Sequence, residues 1–191
     1  VYSAVDHALA ANVEYLQLIG TASIFGIGNG LANTIVGNSG DNIIDGGANR
    51  DAMSGGLGND SYFVDDIYDF ALELPGGGVD TVYSSVSYAL SAEVEYLQLL
   101  GTGAIDGVGN GLANTIVGNA GNNILNGLGG RDAMAGGLGN DAFIVDDAFD
   151  YVLELAGGGA DTVYSSVSYA LSPNVENLQL LGTGAIDGVG N

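Results

Sequence analysis

Four aspartates sit at the sixth place of nine-residue segments that open on glycine. They are Asp51 in Gly46–Ser54, Asp60 in Gly55-Gly-Leu-Gly-Asn-Asp-Ser-Tyr-Phe63, Asp132 in Gly127–Ala135, and Asp141 in Gly136-Gly-Leu-Gly-Asn-Asp-Ala-Phe-Ile144. A carboxylate at a fixed offset behind glycines is an oxygen-donor arrangement. Calcium, a hard divalent cation, takes about six to eight oxygens in flexible geometry. A glycine loop can turn its carbonyls inward because glycine reaches positive φ at little steric cost. The aspartate adds charge, and a loop stacked from the next turn would supply the other half of the shell. Asn and Asp also favour such turns without any ion, so the turn alone does not demand a metal.

Charge points the same way. The chain of 191 residues carries 23 Asp and Glu against two Lys or Arg, for a formal net charge of −21. Nucleic acid and anionic membrane surfaces are bound through Lys and Arg, so neither is an expected partner. A compact state with this much like charge repels itself unless something neutralises it. The acids recur at fixed offsets in glycine loops rather than being scattered, and a divalent cation is the natural counter-charge. Glycine loops can also cradle phosphate, but the position-six Asp argues against an anion.

Other chemistries lack their ingredients. There is no cysteine, hence no disulfide, thiolate site or thiol nucleophile. His7 is the single histidine, and its counterpart 81 residues on is Tyr88. Ser84, Ser85 and Ser87 have no base recurring beside them. The chain is therefore not expected to be an enzyme. Arg50 and Arg131, each just before a position-six Asp, are expected to pair with neighbouring carboxylates as weak surface contacts.

The elements that must position these residues are legible in two nested repeats. NTIVGN recurs at Asn33 and Asn114, and DTVYSSVSYALS at Asp80 and Asp161, both at an offset of 81. Laying 1–110 over 82–191 gives 80 identities without a gap. The units are 1–81, 82–162 and a partial 163–191, expected to form one continuous solenoid cut as a window from a longer array. Inside each unit, four nonapeptides run from Gly28 and from Gly109, with a large apolar residue at position eight: Ile35, Ile44, Met53 and Tyr62, then Ile116, Leu125, Met134 and Phe143. One such residue in nine is too sparse for an amphipathic helix and suits a short strand followed by a turn. Val82, Val86, Tyr88 and Leu90, then Leu97 and Leu99, are expected to face inward from longer strands. Tyr83, Tyr96 and Tyr164 are expected to face outward. About eight strands fall in each 81 residues, or four two-strand turns, a count that would keep equivalent loops on one side. No apolar run reaches the length of a membrane helix.

The segments 55–63 and 136–144 resemble the nonapeptide GGxGxDxUx of the RTX (repeats-in-toxin) calcium-binding family. Segment 46–54 keeps both glycines and Asp51 but has Asn49 at position four. Segment 127–135 has Leu128 at position two. The first two nonapeptides of each unit place Asn33, Asn42, Asn114 and Asn123 at position six. The resemblance implies an all-β fold, a right-handed parallel β-roll or β-solenoid with two short strands per turn and about four turns per repeat. It implies calcium between loops two nonapeptides apart on one edge. Loop 46–51 would then stack between 28–33 and the turn holding Asp65, Asp66 and Asp69, and loop 55–60 between 37–42 and 76–80. The ligands so implied are Asp51, Asp60, Asp80, Asp132, Asp141 and Asp161, with Gly46, Gly55, Gly56, Gly58, Gly136, Gly137 and Gly139. The acidic turns Asp65, Asp66, Asp69 and Asp146, Asp147, Asp150 join them. Loops with Asn at position six are expected to bind calcium weakly or not at all, since Asn offers an oxygen without charge.

The implied function is a calcium-binding structural or adhesive module of a secreted bacterial surface or fibre protein, one that self-associates into fibres or layers. The alternatives are the calcium-dependent folding and secretion domain of an RTX toxin, protease or lipase, and a polysaccharide- or ice-binding solenoid. Location outside the cell follows from the resemblance and from calcium supply, not from a targeting signal.

Overall fold

A computed structural model describes residues 1–191. There is no helix; the chain forms strands of two to four residues. It divides into two compact units, residues 1–86 with 90–96, and residues 87–89 with 97–191.

The first unit contains β1 (Tyr2–Ser3), β2 (His7–Ala8), β3 (Tyr15–Leu18), β4 (Phe25–Ile27), β5 (Thr34–Val36), β6 (Ile43–Asp45), β7 (Ala52–Ser54), β8 (Ser61–Val64), β9 (Phe70–Leu72) and β10 (Thr81–Ser84). Odd strands β1-β3-β5-β7-β9 pair in order in one sheet, and even strands β2-β4-β6-β8-β10 in another. The recorded pairings are parallel. Alternation of successive strands between two parallel sheets defines a β-solenoid with two strands per turn.

The second unit repeats this plan with β11 (Tyr88–Ala89), β12 (Tyr96–Leu99, entering at Leu97), β13 (Gly107–Val108), β14 (Thr115–Val117), β15 (Ile124–Asn126), β16 (Ala133–Ala135), β17 (Ala142–Val145), β18 (Tyr151–Leu153), β19 (Thr162–Ser165), β20 (Tyr169–Ala170), β21 (Asn177–Leu180) and β22 (Gly188–Val189). Its sheets run β11-β13-β15-β17-β19-β21 and β12-β14-β16-β18, with β20 paired to β22.

The core follows from the nonapeptide. The position-eight residue is the central, inward residue of its strand, and all eight are no more than 1% exposed. Register stacks them: Ile35 on Met53 on Ala71 in one sheet, Ile44 on Tyr62 on Val82 in the other. The second unit stacks Ile116 on Met134 on Val152, and Leu125 on Phe143 on Val163. Each such buried side chain contributes roughly 1.5–3 kcal/mol of apolar burial. The neighbours on either side point outward, so each strand gives the interior one or two residues. Leu97 and Leu99 face inward as expected, while Tyr96 is exposed.

Two details differ from the sequence reading. Nine strands, not eight, lie from β8 to β16, because Tyr88–Ala89 pairs as a separate short strand with Gly107–Val108. Each 81 residues thus makes four and a half turns, and the even count that would keep equivalent loops on one side is gone. Ser84 is buried instead of Val86, which is only half-buried. The Ser84 hydroxyl donates to the Val86 carbonyl at 2.7 Å and accepts the Val86 N–H at 3.3 Å. This local turn ends β10 while the in–out alternation carries on to Leu90; Ser165 and Val167 repeat it.

Candidate metal centre

The loops between strands carry a ladder of position-six side chains along each edge. In the first unit the Asp51 carboxylate accepts the Asn33 backbone N–H at 2.6 Å, and the Asp69 carboxylate accepts that of Asp51 at 2.8 Å. On the other edge Asp60 accepts from Asn42 at 2.6 Å, Asp80 from Asp60 at 2.8 Å, and Glu95 from Asp80 at 2.9 Å. The second unit repeats both ladders through Asn114, Asp132 and Asp150, and through Asn123, Asp141, Asp161 and Glu176. Loop 46–51 therefore lies between 28–33 and the Asp65–Asp69 turn, and loop 55–60 between 37–42 and 73–80.

The position-six aspartates, with Asp80 and Asp161, use only Oδ1 in the ladder. The Oδ2 atoms of Asp51, Asp60, Asp80, Asp132, Asp141 and Asp161 are buried with no hydrogen-bond partner, as are Oε2 of Glu73 and Glu154. Such a buried acceptor normally finds a donor, and leaving an ionised one bare is costly. The Asn rungs are different. Asn42 accepts the Asn38 N–H at 2.7 Å and donates to the Ile24 carbonyl at 3.1 Å. Asn33 likewise accepts from Asn29 and donates to Val13. Asparagine satisfies its rung with protein atoms alone; aspartate leaves an oxygen over.

The glycines have separable jobs. A Cβ at position one, at Gly46, Gly55 or Gly136, would overlap the position-six carboxylate of its own loop. Positions two and four take positive φ: Gly56 at 107° and Gly58 at 115°, Gly137 at 101° and Gly139 at 115°. Asn49 and Leu128, the departures from the motif, adopt φ of 75° and 61° at those places without glycine's freedom.

The acidic turns play a different part from the position-six aspartates. Asp69 is buried, and its second oxygen accepts the N–H groups of Asp65 and Asp66 at 3.1 and 3.0 Å. Asp150 does the same for Asp146 and Asp147. Both oxygens of these aspartates are thus engaged, whereas Asp65 and Asp146 are exposed and Asp66 and Asp147 half-buried. Arg131 lies over the Phe149 ring, 4.0 Å from its centroid, a cation–π contact in place of the expected carboxylate pairing.

Sequence reasoning missed Glu73 and Glu154. Leu72 pairs with Ser54, which puts Glu73 in register with the position-one Gly55, side chain inward. The in–out alternation of Phe70-Ala-Leu-Glu73 is the signal that could have found it. One ligand atom from each of Asp60, Glu73 and Asp80 lies within 4.8 Å of the others, and Asp141, Glu154 and Asp161 form the same cluster. All six are at most 4% exposed.

Burial sets the electrostatics. Loss of water pushes the carboxyls of Asp51, Asp60, Glu73 and Glu154 up to about 7 and those of Asp80, Asp132 and Asp141 up to about 6. Asp161 is raised for the same reason. A hydrogen bond from or beside each rung offsets part of the rise, and neighbouring carboxylates add to it. A cluster of bare acid oxygens in a glycine cradle fits a hard cation with oxygen ligands.

The comparison with protein families agrees with this geometry. The model of the RTX calcium-binding nonapeptide repeat matches residues 27–62 and 108–143, in four copies. These nonapeptides match the RTX calcium-binding repeat, over less than half of the chain. No curated protein and no solved structure matches the chain. The RTX match ends at Tyr62 and Phe143, so Glu73, Asp80, Glu154 and Asp161 lie outside the matched RTX segments.

Proposed function

We propose that this chain is a calcium-stiffened structural or adhesive module of a secreted surface or fibre protein. Asp51, Asp60, Asp80, Asp132, Asp141 and Asp161 would hold the ions together with glycine-loop oxygens. The observation that carries this is the set of buried acid oxygens without partners, which occur on Asp rungs and not on Asn rungs. Bound calcium supplies the positive charge that these oxygens lack. The chain's own part is to fix the carboxylates: the ladder N–H groups hold one oxygen of each, and the position-one glycines leave room for the other. The closeness of the 81-residue units favours a role in length and stiffness over a unique site.

A second reading, the folding and secretion module of a larger RTX protein, draws on the same buried charge. A fold that needs calcium stays open where calcium is scarce and closes outside the cell. Self-association and an extracellular location belong to the first reading and rest on the RTX repeats together with the acidic, repetitive sequence.

Equilibrium dialysis tests the shared premise. Calcium is expected to bind the chain, and Asp60→Asn with Asp141→Asn to lower the number of ions bound. Unchanged binding in that double variant would refute the assignment of the aspartates.

A further inference from the structure

The two acid clusters are equivalent by sequence offset, yet they differ at one side chain beside the third acid. In the first unit that neighbour is Tyr62, and in the second it is Phe143. Tyr62 is fully buried; its hydroxyl accepts the Gly55 N–H at 2.5 Å and donates to Oε1 of Glu73. In the second unit no hydroxyl intervenes, and Glu154 Oε1 accepts the Gly136 N–H directly at 2.9 Å. The space beside the position-one glycine shows the exchange. A Cβ on Gly55 would meet the Asp60 carboxylate and the Tyr62 hydroxyl, whereas a Cβ on Gly136 would meet the Asp141 carboxylate and Glu154 Oε1. The phenol oxygen therefore stands where the second unit places a carboxylate oxygen. In both units the other glutamate oxygen, Oε2, is buried and bare, beside Gly77 in the first and Gly158 in the second, while one carboxylate oxygen of each glutamate lies within 4.8 Å of those of its two aspartates.

We propose that Glu73 and Glu154, which lie outside the nonapeptides, complete divalent-cation sites with Asp60 and Asp80 and with Asp141 and Asp161, and that the Tyr62 hydroxyl makes the first site the weaker. The proposal rests on the calcium reading above and extends it to acids that the repeat motif does not contain.

The chemistry is that of ligand charge. Affinity of an oxygen site for calcium rises with the number of charged ligands. A third carboxylate brings three negative charges around one space with no cationic side chain among them. The glutamate's strength as a ligand depends on what its second oxygen is bonded to. A phenol is a stronger donor than a peptide N–H, and the Gly55 N–H bonded to the phenol oxygen polarises it further in a chain of two hydrogen bonds. Glu73 thus gives up more of its charge than Glu154, which is bonded to backbone amides alone.

Four variants of the whole chain test this by calcium titration calorimetry, with far-UV circular dichroism as the check on folding. Glu73→Gln and Glu154→Gln each remove one charge from a crowded buried cluster, so the metal-free fold is retained. Each is expected to weaken one site roughly tenfold or more, as lost ligand charge does. Tyr62→Phe reproduces the arrangement already present in the second unit. It is expected to tighten the weaker site by roughly three- to tenfold, the scale of one hydrogen bond. Phe143→Tyr is expected to weaken the tighter site by a similar factor. Tyrosine near-ultraviolet absorbance is expected to shift on calcium addition in the wild-type chain, and to lose that component in Tyr62→Phe. Calcium binding unchanged by both glutamine variants would overturn the third ligand, and affinities unmoved by the Tyr62 and Phe143 exchanges would overturn the ranking. Neither result would touch the calcium reading. A wild-type chain that binds no calcium would sink both together.

Discussion

The choice between Asp and Asn at position six decides what each rung can do. Both residues accept a backbone N–H, but Asp takes it from the preceding rung and Asn from its own loop. Asn42 uses its amide nitrogen to satisfy Ile24 and is complete, while Asp60 keeps a buried, bare Oδ2. That difference was legible in the sequence, because charge and spacing alone separate the two kinds of loop. Glu73 was not legible as a partner of Asp60, since its loop departs from the nonapeptide and only the pairing of Leu72 with Ser54 reveals its register. The roles inside Asp65, Asp66 and Asp69 were equally hidden, because only folding shows that Asp69 turns inward and engages both oxygens.

Proton linkage also belongs to the residue scale. Without calcium, buried carboxyls with values of about 6 to 7 bind protons more readily in the folded chain than in the unfolded one, where Asp and Glu sit near 4. The folded state then holds more protons between about pH 4 and pH 7, so stability falls as pH rises through that window. In chelator, thermal melts are expected to show a melting temperature that climbs from pH 8 to pH 5. Calcium needs the ionised form, so its affinity should fall over the same range. A melting temperature in chelator that is flat or drops toward pH 5 would contradict the burial of these groups.

At the scale of the element, the nonapeptide encodes its own strand and turn: its eighth residue is the core of each short strand, and its glycines shape the loop. The extra strand at Tyr88–Ala89 escaped that reading because the Ser84 hydroxyl ends β10 through a backbone turn that hydrophobic spacing does not encode. Position-one and exposed glycines should behave differently. Gly55→Ala places a methyl group against the Asp60 carboxylate, whereas a Cβ at exposed Gly111 meets nothing within 4 Å. Chemical denaturation is expected to show Gly55→Ala destabilised by about 1–3 kcal/mol, with weaker calcium binding. Gly111→Ala is expected to stay within about 0.5 kcal/mol of wild type. Equal effects from both would show that the position-one glycine serves the backbone and not the carboxylate.

At the scale of the whole molecule, a net charge of −21 and acid clusters inside each unit act against the same parallel strands that build the fold. The apolar stacks favour the solenoid, but their interior is only one or two residues deep per strand, and the buried carboxylates oppose it. Divalent cations reverse that opposition, since metal binding free energy becomes folding free energy when the site exists only in the folded state. Closely similar 81-residue units then repeat the same dependence along the chain.

Far-ultraviolet circular dichroism during a calcium titration begun in chelator tests this most directly. A cooperative gain of β signal is expected as calcium is added, not reproduced by magnesium, and lost when Asp60→Ala and Asp141→Ala are combined. A β signal already complete in chelator and unmoved by calcium would contradict it.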